Sequence, residues 1–366
     1  MPRHTFRGCT MRLLRKQTNG LIVGVIIGIA FGVGGLIFIS PPSSQGTHAT
    51  ITTAGSSTVY PLSVEWSTMY SASFPGITVN PSSGGSGLGQ SLVAQGLVDI
   101  GASSSYPEAE YFDLNPQVQV LPMSADALGV VIHESVNGSI FKMDCDMVVA
   151  VFQRNVTTWA EFASVFGVTV DATGPIDVFV RSDASGTTAT FAKWLETAGM
   201  TNNSNGADYE WTLGHDEAIS FPSGVLAVDG NPGVASGVAS NPDSIGYVGL
   251  AFLNVTGLTR VSLFNPGNGE WVEPSVANAI KAIPTDLTDP GESLMNSEID
   301  GAYPIARLLY YIINRENLQW YTISFITWCL VQGQNFVSVV GYVPINGTSA
   351  QQYSLSIVAV MTPSGG

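Results

Sequence analysis

Cysteine is scarce in this sequence: Cys9, Cys145 and Cys329 are the three in 366 residues. None forms a CxxC pair, and a hydrophobic run separates Cys9 from the other two, so no zinc-type spacing exists. Cys145 and Cys329 can pair with each other or stand as two buried free thiols, and the second reading is preferred. Histidine is equally rare. His4 and His48 precede the main body, and His133 ends an apolar run. His215, in "LGHDEA", has Asp216 and Glu217 beside it but no second histidine at ligand spacing. Neither a metal nor a cofactor is expected. GxxxxGK[ST] is missing, and "GGSGLG" fits neither GxGxxG nor GxSxG in register. The acids show no pairing of the glycosidase kind. Enzymatic function is the weaker class, and no residue is assigned a catalytic role.

Positive charge is also lacking. Lys and Arg number 13 against 28 Asp and Glu. Five of the basic residues, Arg3, Arg7, Arg12, Arg15 and Lys16, lie before residue 20, where there are no acids. The chain after residue 50 therefore carries a net charge of −20. Such a field repels nucleic acid and anionic lipid.

What the sequence does contain begins with "LIVGVIIGIAFGVGGLIFIS", residues 21–40, apolar and uncharged throughout. Its length matches a bilayer core. A cleavable signal has a shorter apolar region with small residues close behind, whereas Pro41 and Pro42 follow here. The expectation is a basic cytoplasmic segment (1–20), a single-pass membrane anchor (21–40) and a flexible tether (41–50), with the body outside the cell. Five N-x-S/T sequons, at Asn137, Asn155, Asn202, Asn254 and Asn346, fit a glycosylated extracellular protein.

In the body, short β-branched runs alternate with helix-like stretches. This implies an α/β fold with a mainly parallel sheet and helices on both faces. Three loops share one design: "AGSSTVYP" (54–61), "SSGGSGLGQ" (82–90) and "SDASGTT" (182–188). Each follows a strand, is rich in Ser, Thr and Gly, and opens a helix or another turn. In open α/β sheets such loops lie at the carboxyl ends of strands, where ligands bind. Helix N-termini offer free N–H groups and partial positive charge, and glycine lets the backbone approach an anion. For any one loop, simple helix capping explains the hydroxyls as well. For three loops, one preceded by Arg181 in "VRSDASGTTATF", an oxyanion site is the better reading.

"GSSTVYPL", "GGSGLG", "VDIGAS", "VRSDASGTTATF", "SIGYVGLAF", "AYPIARLLYYI" and "GYVPIN" together resemble, in order, the elements of the phosphate-binding proteins of phosphate ABC importers. The resemblance runs over residues 50–346. It implies a two-lobed type II periplasmic-binding fold, with lobes of about 51–130 plus 258–366 and 131–257, closing on the ligand by a hinge. It further implies that Ser57, Thr58, Val59, Ser86, Ser104, Arg181, Ser185, Gly186 and Thr187 hold inorganic phosphate. Asp183 would support the Arg181 guanidinium. Members of the family place an aspartate after "GAS" to accept the proton of hydrogen phosphate and repel sulfate, whereas this chain has Ser104. The implied partners are an ABC permease and its ATPase. Rival readings are a binding protein for sulfate, molybdate or tungstate, a surface phosphoester hydrolase, and a ligand-free surface protein.

Overall fold

In a computed structural model, residues 48–136, 141–199, 208–287 and 289–364 are described. The expected cytoplasmic segment, anchor and most of the tether lie outside them, as do Asn137 and Asn202. In chain order the elements are β1 (Ala49–Gly55), α1 (Tyr60–Ser73), β2 (Ile77–Ser83), α2 (Ser86–Ala94), β3 (Ile100–Ser103), α3 (Ala109–Leu114) and β4 (Val118–His133). Next come β5 (Phe141–Met143), α4 (Cys145–Phe152), α5 (Trp159–Phe166), β6 (Asp177–Arg181), α6 (Gly186–Leu195), β7 (Val225–Val228), α7 (Gly230–Ser240) and β8 (Ser244–Gly249). The last are β9 (Leu258–Asn265), β10 (Glu270–Val272), α8 (Val276–Ala279), β11 (Ala306–Asn314), α9 (Trp320–Val331), α10 (Gln334–Val337) and α11 (Ser349–Val358).

The strands pair in the order β2-β1-β3-β11-β4-β8-β6-β7. The outer parts are parallel: β1 pairs with β2 and β3, and β6 pairs with β7 and β8. The centre is antiparallel, because β11 runs against β3 and β4, and β4 runs against β8. The expected mainly parallel sheet is thus a mixed one. Helical crossovers build the two parallel parts, whereas β4 runs unbroken from one part to the other and needs no crossover. Residues 118–127 of β4 pair with β11, and residues 128–132 pair with β8. Where Pro122 lacks an N–H the register with β11 slips, between Leu309 and Tyr310. β9, which starts at Leu258, pairs with the end of β4 and with β5, so it extends the same part of the sheet as β8.

Spacing explains why the helices face as they do. In α1, Leu62, Trp66 and Tyr70 recur every four residues and are fully buried, while Val64 on another face is exposed. Trp66 Nε1 donates to Gly333 O at 2.8 Å, so the indole is both packed and satisfied. α2 comes so close to β1 and β3 that a Cβ on Gly89 would lie 2.6 Å from Ala54 O and 2.7 Å from Ala102 O. Only glycine fits there. Both described cysteines are buried free thiols, as preferred from the sequence, and burial pushes their pKa values up. Asn155, Asn254 and Asn346 are exposed.

Every residue of α4 is buried, including Asp146 in its first turn. Asp146 Oδ1 accepts from Gly199 N at 3.2 Å and Tyr209 N at 3.3 Å, but Oδ2 has no hydrogen-bond partner among the described residues. Burial, with like charge from Asp144 and Asp208, pushes its pKa up to about 6 from 3.8. The folded state therefore holds this proton more tightly than the unfolded chain. Its contribution to stability falls as pH rises through that window and does not return above it. Asp146→Asn keeps an oxygen to accept from Gly199 N and Tyr209 N and removes the buried charge. Its melting temperature should exceed that of the wild type by about 2–4 °C at neutral pH, and the difference should vanish near pH 4. Melting curves across this range check both statements.

Candidate functional site

The three Ser/Thr/Gly loops meet. The first joins β1 to α1, the second β2 to α2, and the third β6 to α6, each at the carboxyl end of a parallel strand. In the first, Ser56 Oγ accepts from Thr58 N at 3.1 Å and Val59 N at 3.4 Å. In the third, Ser185 Oγ caps α6 by accepting from Thr187 N at 3.1 Å and Thr188 N at 3.2 Å. The capping explanation therefore holds locally, and the caps also aim the next hydroxyls at one another. Thr58 Oγ1 and Thr187 Oγ1, 129 residues apart, lie 2.8 Å from each other. In the second loop, Ser86 Oγ accepts from Ser104 N at 3.1 Å and sits 3.2 Å from Ser104 Oγ. A Cβ on Gly186 would lie 2.7 Å from each of Ser86 Oγ, Ser105 Oγ and Ser105 N. Glycine at the start of α6 is what lets the second and third loops close together.

Ser57, Thr58, Val59, Ser86, Ser104, Arg181, Ser185, Gly186 and Thr187 are all buried, and Asp183 is half-buried. Val59 turns its side chain into the core, so only its backbone faces the loop. Ser57 Oγ is turned toward α7 and accepts from Asn231 N at 3.2 Å and Nδ2 at 3.1 Å. Arg181 Nε donates to Asp183 Oδ1 at 2.7 Å, and its Nη2 pairs with Asp183 Oδ2. Burial opposes ionisation of Asp183, but the Arg181 guanidinium and the Gly230 N–H outweigh it and hold its pKa below the ordinary carboxylate value.

Four contributors went unassigned in the sequence reading. Arg307 on β11 is buried at the centre. Its Nη2 lies 3.2 Å from both Thr58 Oγ1 and Thr187 Oγ1, and its Nη1 donates to Ser104 O at 3.1 Å and Gly186 O at 3.3 Å. Asp126 on β4 holds it, with Oδ2 accepting from Nη2 at 2.8 Å and Nε at 3.1 Å. Burial raises the pKa of Asp126, although Arg307 and the Leu250 N–H act against the rise. Asn231 Nδ2 donates to Thr58 Oγ1 at 2.8 Å, and Tyr342 Oη donates to Thr58 O. A signal for the first two was present. Asp126 and Arg307 are charges inside otherwise apolar runs, "VLPMSADALGVVIH" and "AYPIARLLYYI", and buried charges need partners. No comparable signal marked Asn231 or Tyr342.

The arrangement brings guanidinium, amide and hydroxyl donors together among buried residues. That chemistry suits an oxygen-rich anion. No metal-binding group of three or more His, Cys, Asp or Glu occurs among the described residues. His215 pairs with Glu196 at 2.8 Å on the surface, and His133 Nδ1 lies 2.9 Å from Ser135 Oγ.

Residues 40–331 match the model of the PBP superfamily domain. The chain belongs to that superfamily. It is similar to the phosphate-binding protein PstS of Pasteurella multocida, 29% identical over 309 residues that cover 81% of this chain and 86% of that one. The PstS of Methanocaldococcus jannaschii is 26% identical over 361 residues, covering 87% and 89%. Among solved structures, a periplasmic phosphate-binding protein (PfluDING) bound with phosphate superposes with a TM-score of 0.64 at 17% identity, covering 84% and 93%. The phosphate-binding protein of Stenotrophomonas maltophilia superposes with a TM-score of 0.62 at 15% identity, covering 84% and 93%. These structures establish the two-lobed α/β fold. The resemblance read from the sequence motifs to the phosphate-binding proteins of ABC importers is upheld by these relatives.

Removing one member of the Asp126–Arg307 pair strands the other in the interior. Asp126→Ala should lower unfolding free energy by about 3–5 kcal/mol. The double variant Asp126→Leu, Arg307→Met should recover most of that loss, because no charge is left unpaired. Denaturant unfolding of the three proteins checks this, and a double variant no more stable than Asp126→Ala would contradict it.

Proposed function

We propose that the protein captures inorganic phosphate outside the cell and delivers it to an ABC import permease, without chemistry of its own. The observation that carries this reading is the convergence of three helix-opening loops and the Arg307 guanidinium on one buried point of a two-lobed fold, with Arg181 at the end of the strand that leads into the third loop. Curated relatives over most of its length are phosphate-binding proteins. In this reading Thr58, Ser86, Ser104, Arg181, Gly186 and Thr187 line the anion, with Ser57, Val59 and Ser185 shaping their loops and Asp183 holding Arg181. Arg307 joins them from the floor. The lobes are 51–130 with the C-terminal part of the chain, and 131–257 extended by β9, which pairs with β5, and by β10, which pairs with β9. β4 and the chain returning to β11 form the hinge between them.

The N-terminal 20-residue apolar run supports a single-pass anchor with the five basic residues inside and the body outside. Exposed Asn155, Asn254 and Asn346 are the sequons on which glycans would sit. A second reading, another tetrahedral oxyanion such as sulfate or molybdate, is favoured by Ser104, since a serine adds no like charge against a fully ionised ligand.

Calorimetry of the full chain in detergent with phosphate, sulfate, arsenate and molybdate separates these readings. Phosphate should bind most tightly, and tight molybdate or sulfate binding without phosphate binding would replace the first reading with the second. Arg181→Ala should weaken phosphate binding by roughly 2–5 kcal/mol, as a buried charge pair does on losing one partner. Arg181→Lys should recover little of it, because the planar fork is lost. For the anchor, external protease on intact cells should release the body while salt washing leaves it membrane-bound. A mature chain beginning near residue 50 in the medium would show a cleaved signal instead.

A further inference from the structure

Glu217 is a carboxylate beside the loops that has no place in the scheme above. It precedes β7, and its backbone carbonyl accepts from Ser185 N at 2.8 Å, which ties it to the start of α6. Its side chain reaches the opposite loops. Oε1 accepts from Ser105 Oγ at 2.6 Å and from Gln90 Nε2 at 2.9 Å. A Cβ on Gly87 would lie 2.7 Å from Oε2, so the carboxylate rests against the first turn of α2. The charged groups facing it are Arg181 and Asp183 of the third loop. On its own segment Asp216 is adjacent, and His215 is paired with Glu196. Burial raises the pKa of Glu217, opposed by hydrogen bonds from Ser105 and Gln90 and by Arg181.

The consequence falls on Ser105. A hydroxyl has one proton and two lone pairs. The proton of Ser105 goes to Glu217, and the nearby Ser103 hydroxyl gives its own proton to Ser105 O at 2.7 Å. Ser105 Oγ is left as an acceptor. It lies beside Ser86 Oγ against Gly186, at the edge of the anion cradle. The guanidiniums of Arg181 and Arg307 can only donate, whereas this oxygen presents a lone pair.

We propose that Ser105 is the residue that selects a protonated oxyanion: its Oγ accepts a hydrogen bond from the ligand's own proton, and Glu217 is the positioning residue that commits the serine to that role. No proton is transferred and no bond is broken. Monohydrogen phosphate satisfies the acceptor. Sulfate, which carries no proton at neutral pH, sets a bare oxygen against a lone pair with a carboxylate behind it. This inference rests on the phosphate reading and deepens it. It also answers the absence of an acid at Ser104, since the carboxylate arrives from another loop and acts one hydroxyl away.

The test is competition of sulfate against labelled phosphate on the full chain in detergent, for wild type, Ser105→Ala, Glu217→Ala and the double variant. The readout is the ratio of the two affinities, because a merely structural role lowers both together and leaves the ratio in place. Wild type should favour phosphate. Each single variant should cut that preference by roughly tenfold or more, as for one unmatched polar group. The double variant should be no worse than either single one, since both act through one oxygen. An unchanged ratio in Ser105→Ala, with phosphate still bound, overturns the proposal, as does a wild type with no preference. Single-variant losses that multiply in the double variant overturn the assignment to Glu217. Failure of the wild type to bind phosphate at all defeats the underlying reading instead.

Discussion

The buried pair of Asp126 and Arg307 is the interaction on which the site depends. Two charges taken out of water cost more than they return unless every remaining donor and acceptor is also satisfied. Here Asp126 takes the Leu250 N–H as well as the guanidinium. Arg307 spends its other N–H groups on Thr58, Thr187, Ser104 and Gly186. Those four residues come from three different strand ends. One guanidinium thereby fixes the relative placement of groups that are up to 129 residues apart in sequence. β4 and β11, which carry the pair, are also the antiparallel strands at the middle of the sheet. The charge pair and the centre of the fold coincide, so the loops are referred to one rigid frame.

Electrostatics sets the two guanidiniums near the loops in different surroundings. Arg181 is held by Asp183, whose pKa the pairing lowers. Arg307 is held by Asp126, whose pKa burial nevertheless raises. Each arginine is oriented by an acid on its own side, and each acid cancels much of the attraction its arginine would exert at long range. The body is strongly acidic, so an approaching anion gains little from the overall field. On the proposed function, affinity comes from short-range, pre-oriented donors after entry. That is the physical role of the loop caps: Ser56 and Ser185 fold their loops tightly enough to bring Thr58 and Thr187 into contact.

Much of this was legible in the sequence because local rules governed it. The three loops were marked by Ser, Thr and Gly clusters following β-branched runs. "RSDASGTT" placed the Arg181–Asp183 pair and the α6 cap within six residues. The mixed sheet was not legible, because strand direction depends on how β4 and β11 pair across about 180 residues of intervening chain, and single-strand patterns carry no direction. Arg307 read as one residue in an apolar strand, and Glu217 as one acid in "GHDEA". Neither has a local partner. Their roles exist only through contacts with residues 58, 105, 126 and 187.

The sequence by itself determined the alternation of helix and strand segments, the chemical character of the loops, and the lack of zinc-type spacing and of nucleotide-loop and GxSxG motifs. These follow from periodicity, capping and residue type, which act within a few positions along the chain. Tertiary structure alone decided which loops face one another, which charges are buried together, and where a carboxylate stands relative to a cradle without an acid at Ser104. Those outcomes are set by packing at hydrogen-bond distance between segments far apart in the chain, where a shift of one ångström makes or removes the bond.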